Sequence, residues 1–239
     1  MTMWITLLVV GLVAGMLSSS IGFGGGMILL PVITYFYGID VAVPVSTIAQ
    51  LLSNLSRSVI GWRDIAWRQT LWFLVTAAPL TALGALGFGV ASKILMTRIV
   101  AVGLIIFAIM KLRGKLQLPH KPATMLVGGG ITGLINGLLS ISGPLSSAVF
   151  LTLDLSPVSY IASEATAAAI MHIIKIAVYG QLDLVTLPIV YNGLAIAAAM
   201  IVGNFIALKS INKVNRQRYR KVVAACMIVL SVIIFFTGK

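Results

Sequence analysis

Long apolar stretches separated by short polar segments run along the whole chain and predict an all-α membrane protein. A helix needs about 20 residues to cross a hydrocarbon core of about 30 Å. The predicted spans are residues 3–37, 41–60, 70–90, 94–112, 124–153, 158–179, 184–208 and 222–236. The first and fifth are too long for one crossing, so we expect each of them to be broken.

Both overlong stretches contain a run of small residues in the middle. The first run is Ser18-Ser19-Ser20-Ile21-Gly22-Phe23-Gly24-Gly25-Gly26, and the second is Ser140-Ile141-Ser142-Gly143-Pro144. Lipid offers no partner for a freed backbone N–H or C=O, so a broken helix at membrane depth needs cover from protein or from a water-filled cavity. Paired breaks in two related halves are typical of the binding site of a transporter.

The two breaks belong to a longer internal match with a spacing of about 119 residues. Thr47 falls opposite Thr166, and Gly84 falls opposite Gly203. A match of this length indicates duplication. We predict an N-terminal transmembrane repeat at residues 1–115 and a C-terminal one at residues 121–239.

Loop charges predict that the repeats are inverted, because cytoplasmic loops collect Lys and Arg. The loop after the second span carries Arg63 and Arg68, whereas its counterpart at residues 180–183 has no cation; the loop at residues 209–221 is strongly basic. Placing every basic loop in the cytoplasm requires an odd number of crossings per repeat. Each repeat is then a broken helical hairpin followed by three spans. A parallel arrangement of eight spans misplaces only one basic loop and stays open as an alternative.

Composition excludes a water-soluble protein. The chain has 239 residues, of which 59% are hydrophobic and 9% are charged, and its mean hydropathy is +1.09. The net charge of +12 lies in short loops between spans, which favours membrane insertion over nucleic-acid binding. Cys226 is the only cysteine, so an intrachain disulfide or a cysteine-rich metal site is excluded.

Two predicted spans carry polar and charged stripes. At about 100° per residue, one face of the second span holds Ser46, Gln50, Ser53, Asn54 and Arg57, and one face of the sixth holds Glu164, His172 and Lys175. Ionisable groups at membrane depth are costly, so function is the default interpretation. The alternative is that both cations extend to the headgroups, that Glu164 pairs with Lys175, and that His172 makes a simple interhelical hydrogen bond. Glu164 and His172 are also candidates for coupling transport to protons.

The breaks add groups that suit an anion. A glycine run followed by a short helix presents backbone N–H groups at the positive end of a helix dipole. The candidate binding residues here are Ser20, Gly24, Gly25, Gly26, Asn136, Ser140, Ser142 and Gly143. Phe23, Trp62 and Met171 are available to form an apolar wall. Glycine runs also serve close helix packing in membranes, which is the alternative.

The segment Gly22-Phe23-Gly24-Gly25-Gly26, with Pro31 and the turn at residues 40–47 after it, resembles the sulfite exporter TauE/SafE family, also called the toluene sulfonate uptake permease family. The second break has fewer glycines than is usual for that family. The resemblance implies secondary transport of a small sulfur-containing anion, sulfite or an organosulfonate, across the bacterial inner membrane by a multi-pass protein. Its partners would be that anion and membrane lipid, with no nucleic acid, cofactor or metal.

Other functions fit the residues less well. A transporter or channel for sodium or a divalent metal needs carboxylates or unwound carbonyls along the path, and Glu164 is the one acidic residue deep in a predicted span. An intramembrane serine hydrolase would pair a serine with His172, but the sequence has no Gly-x-Ser-x-Gly motif, so we expect no enzyme activity. A passive anion channel would use the same groups as a transporter with alternating access.

Overall fold

The all-α prediction is confirmed by a computed structural model. It describes residues 2–22, 24–90, 121–140 and 143–210, together with Ser92, Ile94, Leu95, Arg98 and Val102. The α-helices are α1 (Thr2–Ile21), α2 (Gly25–Tyr37), α3 (Ile39–Ile60), α4 (Trp67–Val90), α5 (Pro122–Leu139), α6 (Gly143–Phe150), α7 (Pro157–Gln181) and α8 (Leu187–Ser210), and a 3₁₀ turn covers Trp62–Asp64. The predicted span at 222–236 with Cys226, and all of the predicted span at 94–112 except Ile94, Leu95, Arg98 and Val102, lie outside the described residues.

Helices α1, α4, α7 and α8 are long and apolar enough to cross a membrane. Helix α3 has a similar length of 22 residues, but its polar stripe lowers its hydropathy. Many large apolar side chains on these helices are exposed, including Val59, Val75 and Leu187, as expected for surfaces that face lipid. The chain is therefore a multi-pass membrane protein.

Both predicted breaks are confirmed. Between α1 and α2 the backbone passes through positive φ at Gly22 (82°) and Gly24 (112°), where a side chain would be strained. Helix α5 ends with Ser140 in the left-handed conformation (φ 54°), and the N–H of Ser140 donates to Asn136 O at 2.9 Å. Helix α6 then begins at Gly143.

The first broken segment turns back on itself. Helices α1 and α8 run in the same direction, since Gly11 lies against Ile196 and Gly15 lies against Met200. Helix α8 is in turn parallel to α3, because Gly193 contacts Ile48 and Asn204, further along, contacts Ser53. Helix α2 joins α3 through the turn at residue 38 and is antiparallel to it. Helix α2 is therefore antiparallel to α1, as in a hairpin.

The second broken segment turns back in the same way. Helix α5 is parallel to α4, since Gly133 lies on Ala77 and Gly137 lies on Thr81. Helices α4 and α7 are also parallel, as their contacts near both ends show. Helix α6 precedes α7 and packs beside its first turns, where Ser146 meets Glu164, so it runs against α7. Helices α5 and α6 thus form a second hairpin.

The helices of the two predicted repeats pack reciprocally. Gly84 of α4 lies on the backbone of α5, and its counterpart Gly203 of α8 lies on the backbone of α1. Helices α3 and α7 are counterparts too, and they run antiparallel because Ser58 meets Thr166 while Gly61 meets Ala162. Opposite directions of counterpart helices agree with the predicted inversion of the repeats, which stays a prediction.

The close approach of these helices depends on glycine. A Cβ atom at Gly203 would overlap Leu12 O and lie 2.9 Å from Met16 N, whereas one at Gly180 would meet nothing within 4 Å. We predict that Gly203→Ala lowers the free energy of unfolding by about 1–3 kcal/mol, because the methyl group must push α1 away. Gly180→Ala should be neutral or stabilising, since alanine is the better helix former. Thermal unfolding in detergent measures both; a Gly203→Ala protein as stable as wild type would contradict the close packing.

Candidate functional site

A small cavity lies where the two breaks meet the polar faces of α3 and α7. Its lining residues come from both halves: Ser18, Gly22, Gly24, Gly25, Gly26, Met27, Gln50, Asn54, Arg57, Ser140, Gly143, Glu164, Ala168, His172 and Met200. The cavity offers about 20 Å³ to the centres of water-sized molecules. This is room for about one water molecule.

The first turn of α2 forms one wall of the cavity. Gly24, with its positive φ, precedes the helix, and the N–H of Gly25 donates to Ser18 Oγ at 3.1 Å. The next N–H groups of the turn have no acceptor within the helix and lie at the positive end of its dipole. A Cβ atom at Gly26 would lie 2.6 Å from Gln50 Cδ, so glycine here lets the amide of Gln50 pack on the backbone.

Arg57 joins this wall to α3. Its side chain is buried, with 6% of the residue exposed, so the alternative in which it extends to the headgroups is wrong. Nη1 donates to Ser18 O at 2.9 Å and to Gly22 O at 3.2 Å, and Nη2 donates to Asn54 Oδ1. The guanidinium thus satisfies carbonyls at the end of α1, where a cation is also favoured by the helix dipole.

Glu164 of α7 supplies a negative charge beside Arg57. Its Oε2 lies 3.8 Å from Arg57 Nη1, and its Oε1 accepts a hydrogen bond from Ser146 Oγ at 2.7 Å. The carboxylate is buried. It pairs with Arg57 and not with Lys175, which was the alternative from sequence. This pair connects α3 of the first half to α7 of the second.

Lys175 contacts the second break as Arg57 contacts the first. It is completely buried, so it does not extend to the headgroups either. Its Nζ donates to Ser140 Oγ and lies 5.5 Å from the centre of the Tyr179 ring. Ser140 Oγ also lies 3.2 Å from Thr47 Oγ1. In each half, a cation of the helix after the hairpin therefore contacts the break in that hairpin.

Four residues around the cavity carry buried polar atoms that have no hydrogen-bond partner in the part of the chain that the structure describes. These atoms are Gln50 Nε2, Arg57 Nε, Glu164 Oε2 and His172 Nδ1. Buried polar atoms without partners are uncommon because each carries an unrecovered desolvation cost. Five further such atoms of the described residues, on Thr34, Thr132, Asn136 and Ser147, do not line the cavity. The four that surround it are groups that a polar ligand could satisfy.

Ten of the fifteen candidate residues from sequence line the cavity: Gly24, Gly25, Gly26, Gln50, Asn54, Arg57, Ser140, Gly143, Glu164 and His172. Ser20, Ser53, Asn136 and Lys175 do not, and Ser142 lies outside the described residues. Ser20 Oγ donates to Met16 O at 2.7 Å, and Ser53 accepts from Asn204. The side-chain amide of Asn136 is buried without a described partner.

The apolar part of the lining differs from the expected wall. Trp62 is 57% exposed, and Met171 packs in an apolar cluster with Phe73 and Phe150; Phe23 lies outside the described residues. Met27, Ala168 and Met200 line the cavity instead. Sequence gave no signal for Met200, because it lies in a uniformly apolar span. Ser146, which donates a hydrogen bond to Glu164, stands three residues after Gly143. This proximity to the break is the one feature of the sequence that points to Ser146 as a residue of the site.

A protein-family model described as sulfite exporter TauE/SafE matches residues 7–234 of the chain. No curated protein matches the chain. The family match covers both breaks and every residue that lines the cavity.

The buried ion pair gives a prediction for stability. Arg57→Ala leaves Glu164 buried without its cation, and Glu164→Ala leaves Arg57 without its carboxylate. We expect each change to lower the free energy of unfolding by about 3–5 kcal/mol, and the double variant to lose less than the sum. The free energies of unfolding of wild type, the two single variants and the double variant, measured on purified protein in detergent, give this coupling.

Arg63→Ala is the control, because Arg63 is exposed in the 3₁₀ turn; its effect should stay within about 0.5 kcal/mol. Strictly additive losses in the double variant would show that the two side chains are not coupled.

Proposed function

Because the chain belongs to the sulfite exporter TauE/SafE family, we propose that it carries a small sulfur-containing anion, sulfite or an organosulfonate, across the bacterial inner membrane. The family is one of membrane transporters, which agrees with the multi-pass fold and gives no support to enzyme activity. The observation that carries the proposal is the cavity between the two breaks, with its buried unpartnered polar atoms.

The groups around the cavity suit an oxyanion. Arg57 Nε and Gln50 Nε2 are buried donors without partners, and the first turn of α2 adds backbone N–H groups. Donors of these kinds bind the oxygens of sulfite or a sulfonate through charge-assisted hydrogen bonds. The side chains of Met27 and Met200 would accommodate a short apolar group on the sulfur.

Transport then requires the cavity to widen. Its volume fits about one water molecule, which is less than a sulfite ion occupies. We propose alternating access, in which one hairpin and its associated helices rock against the other half. The parallel pairs α1 with α8 and α4 with α5 join the two halves through close contacts at glycine, so the rocking must move each pair as a unit or exchange these contacts for others.

Glu164 acts in this proposal as the resident anion of the site. Its Oε2 lies near Arg57 but accepts no hydrogen bond from a described residue, so an entering anion competes with it for the guanidinium. Two negative charges in a site that excludes water repel each other strongly. We propose that Glu164 binds a proton as the anion enters, with His172, which also lines the cavity, as the other candidate for the proton path.

The first test is ligand-induced stabilisation. Purified protein in detergent is heated with sulfite, sulfate, thiosulfate, sulfoacetate, taurine or acetate, because a ligand that binds only the folded state raises its stability. We expect a sulfur oxyanion or a sulfonate to stabilise the protein selectively. Stabilisation by sodium or a divalent metal, with no response to any anion, would overturn the proposal in favour of a cation transporter.

Two glycine variants locate the binding site. Gly26→Ala would displace the amide of Gln50, which lines the cavity, whereas Gly89→Ala would displace the side chain of Leu182, which does not. We expect Gly26→Ala to weaken anion binding at least about tenfold, equal to about 1.4 kcal/mol, and Gly89→Ala to leave it unchanged. Equal affinities in the two variants would place the anion elsewhere.

Glu164→Gln tests the proton step. A sulfonate keeps one charge between about pH 5 and pH 8, so a pH dependence of its binding reports on the protein. Wild type should bind it more tightly as the pH falls, because a protonated Glu164 neither repels the anion nor competes for Arg57. The Gln variant, which is neutral at every pH, should bind tightly with little pH dependence. An unchanged pH profile would remove Glu164 from the proton path.

A further inference from the structure

A second and larger cavity lies between the beginnings of α4 and α5. It is lined by Arg68, Gln69 and Trp72 of α4, by Lys121, Pro122 and Met125 at the start of α5, and by Leu153. It offers about 220 Å³ to the centres of water-sized molecules, against about 20 Å³ in the central cavity. The residues that line the two cavities do not overlap.

The charged side chains among the described residues that line this cavity are both cations. Arg68 and Lys121 line it, no carboxylate does, and neither cation forms an ion pair with a described residue. Both lie at helix beginnings, where the dipole is positive and cations are disfavoured. The first turns of α4 and α5 contain no acidic residue, and no side chain caps α5. Because α4 and α5 are parallel, the two positive helix ends lie side by side.

Apart from Gln69, the rest of the lining is apolar, and it marks the level of the lipid headgroups. Trp72 is 44% exposed and shares the cavity with Met125 and Leu153. Trp62 and Trp67 are exposed at the same end of α4, with ring centroids 5.0 Å apart. Exposed tryptophans concentrate at the boundary between hydrocarbon and water. The cavity therefore presents cations beside an apolar wall at that boundary.

We propose that this cavity binds the phosphate headgroup of an anionic phospholipid. Arg68 and Lys121 contact the phosphate, Gln69 donates to its oxygens or to the glycerol, and Trp72 packs against the upper part of an acyl chain. Clustered basic side chains at a membrane surface recognise anionic lipids in this way. A free anion would use the two cations but would gain nothing from the apolar wall. The site is separate from the transport site and does not depend on the proposed substrate.

The test compares lipids that differ only in charge. Protein in neutral detergent is titrated with phosphatidylglycerol or with phosphatidylcholine of the same acyl chains, and bound lipid is counted by native mass spectrometry. We expect wild type to prefer phosphatidylglycerol. Removing each cation should weaken that binding about fivefold, so Arg68→Gln with Lys121→Gln should weaken it about 25-fold. Inorganic phosphate is titrated in parallel, with thermal unfolding as the readout.

Arg63→Gln is the matched control, since it removes an exposed arginine of the 3₁₀ turn just before α4 that does not line the cavity, and it should keep the preference. Thermal unfolding in phosphatidylcholine checks that the double variant is folded. Equal binding of the two lipids by wild type, or an unchanged preference in the double variant, would overturn the proposal. If inorganic phosphate saturates wild type and stabilises it as much as phosphatidylglycerol does, the cavity is a site for a free anion instead.

Discussion

The structure depends on how the backbone groups freed at the two breaks are satisfied, since lipid satisfies none of them. At the first break Arg57 donates to Ser18 O and Gly22 O, while the hydroxyl of Ser18 accepts from Gly25 N. At the second break the N–H of Ser140 donates to Asn136 O, and Lys175 donates to the hydroxyl of Ser140. Both cations come from the helix that follows the hairpin. Arg57 of α3 therefore satisfies the end of α1 directly, whereas Lys175 of α7 contacts the second break through the side chain of Ser140.

This requirement also explains why the two halves interlock. A hairpin that stops at mid-membrane must be covered on its outer side, and each hairpin is covered by a helix of the other half: α8 covers α1, and α4 covers α5. Asn204 of α8 reaches into the first half, where it accepts from Ser19 Oγ and donates to Ser53 and Ser56. Both apolar clusters of the described residues combine side chains of the two halves, so relative movement must preserve these contacts or exchange them for equivalent ones.

The features that sequence predicted share one physical origin, which is the cost of polar groups in hydrocarbon. That cost identified the breaks, the stripe from Gln50 to Arg57, and Glu164 with His172. It could not assign partners: Lys175, on the same face of the same predicted span, was the partner offered for Glu164, whereas the antiparallel crossing of α3 and α7 brings Arg57 to it. Nor could it distinguish a serine that bonds its own helix, such as Ser20, from one that faces the cavity. Helical periodicity predicts which face of a helix a side chain lies on, but not which residue it contacts.

The formal charges at the centre follow from this arrangement. Arg57 and Lys175 satisfy the two breaks, and Glu164 compensates one of them, so three charged side chains would leave one positive charge buried between the hairpins. A buried charge without a counterion is costly, and an anion in the cavity would reduce that cost. Once Glu164 takes up a proton, as proposed, two cations face the entering anion and no carboxylate competes with it. In the proposed function, the same groups that allow the helices to be broken therefore connect anion binding to the protonation of one carboxylate.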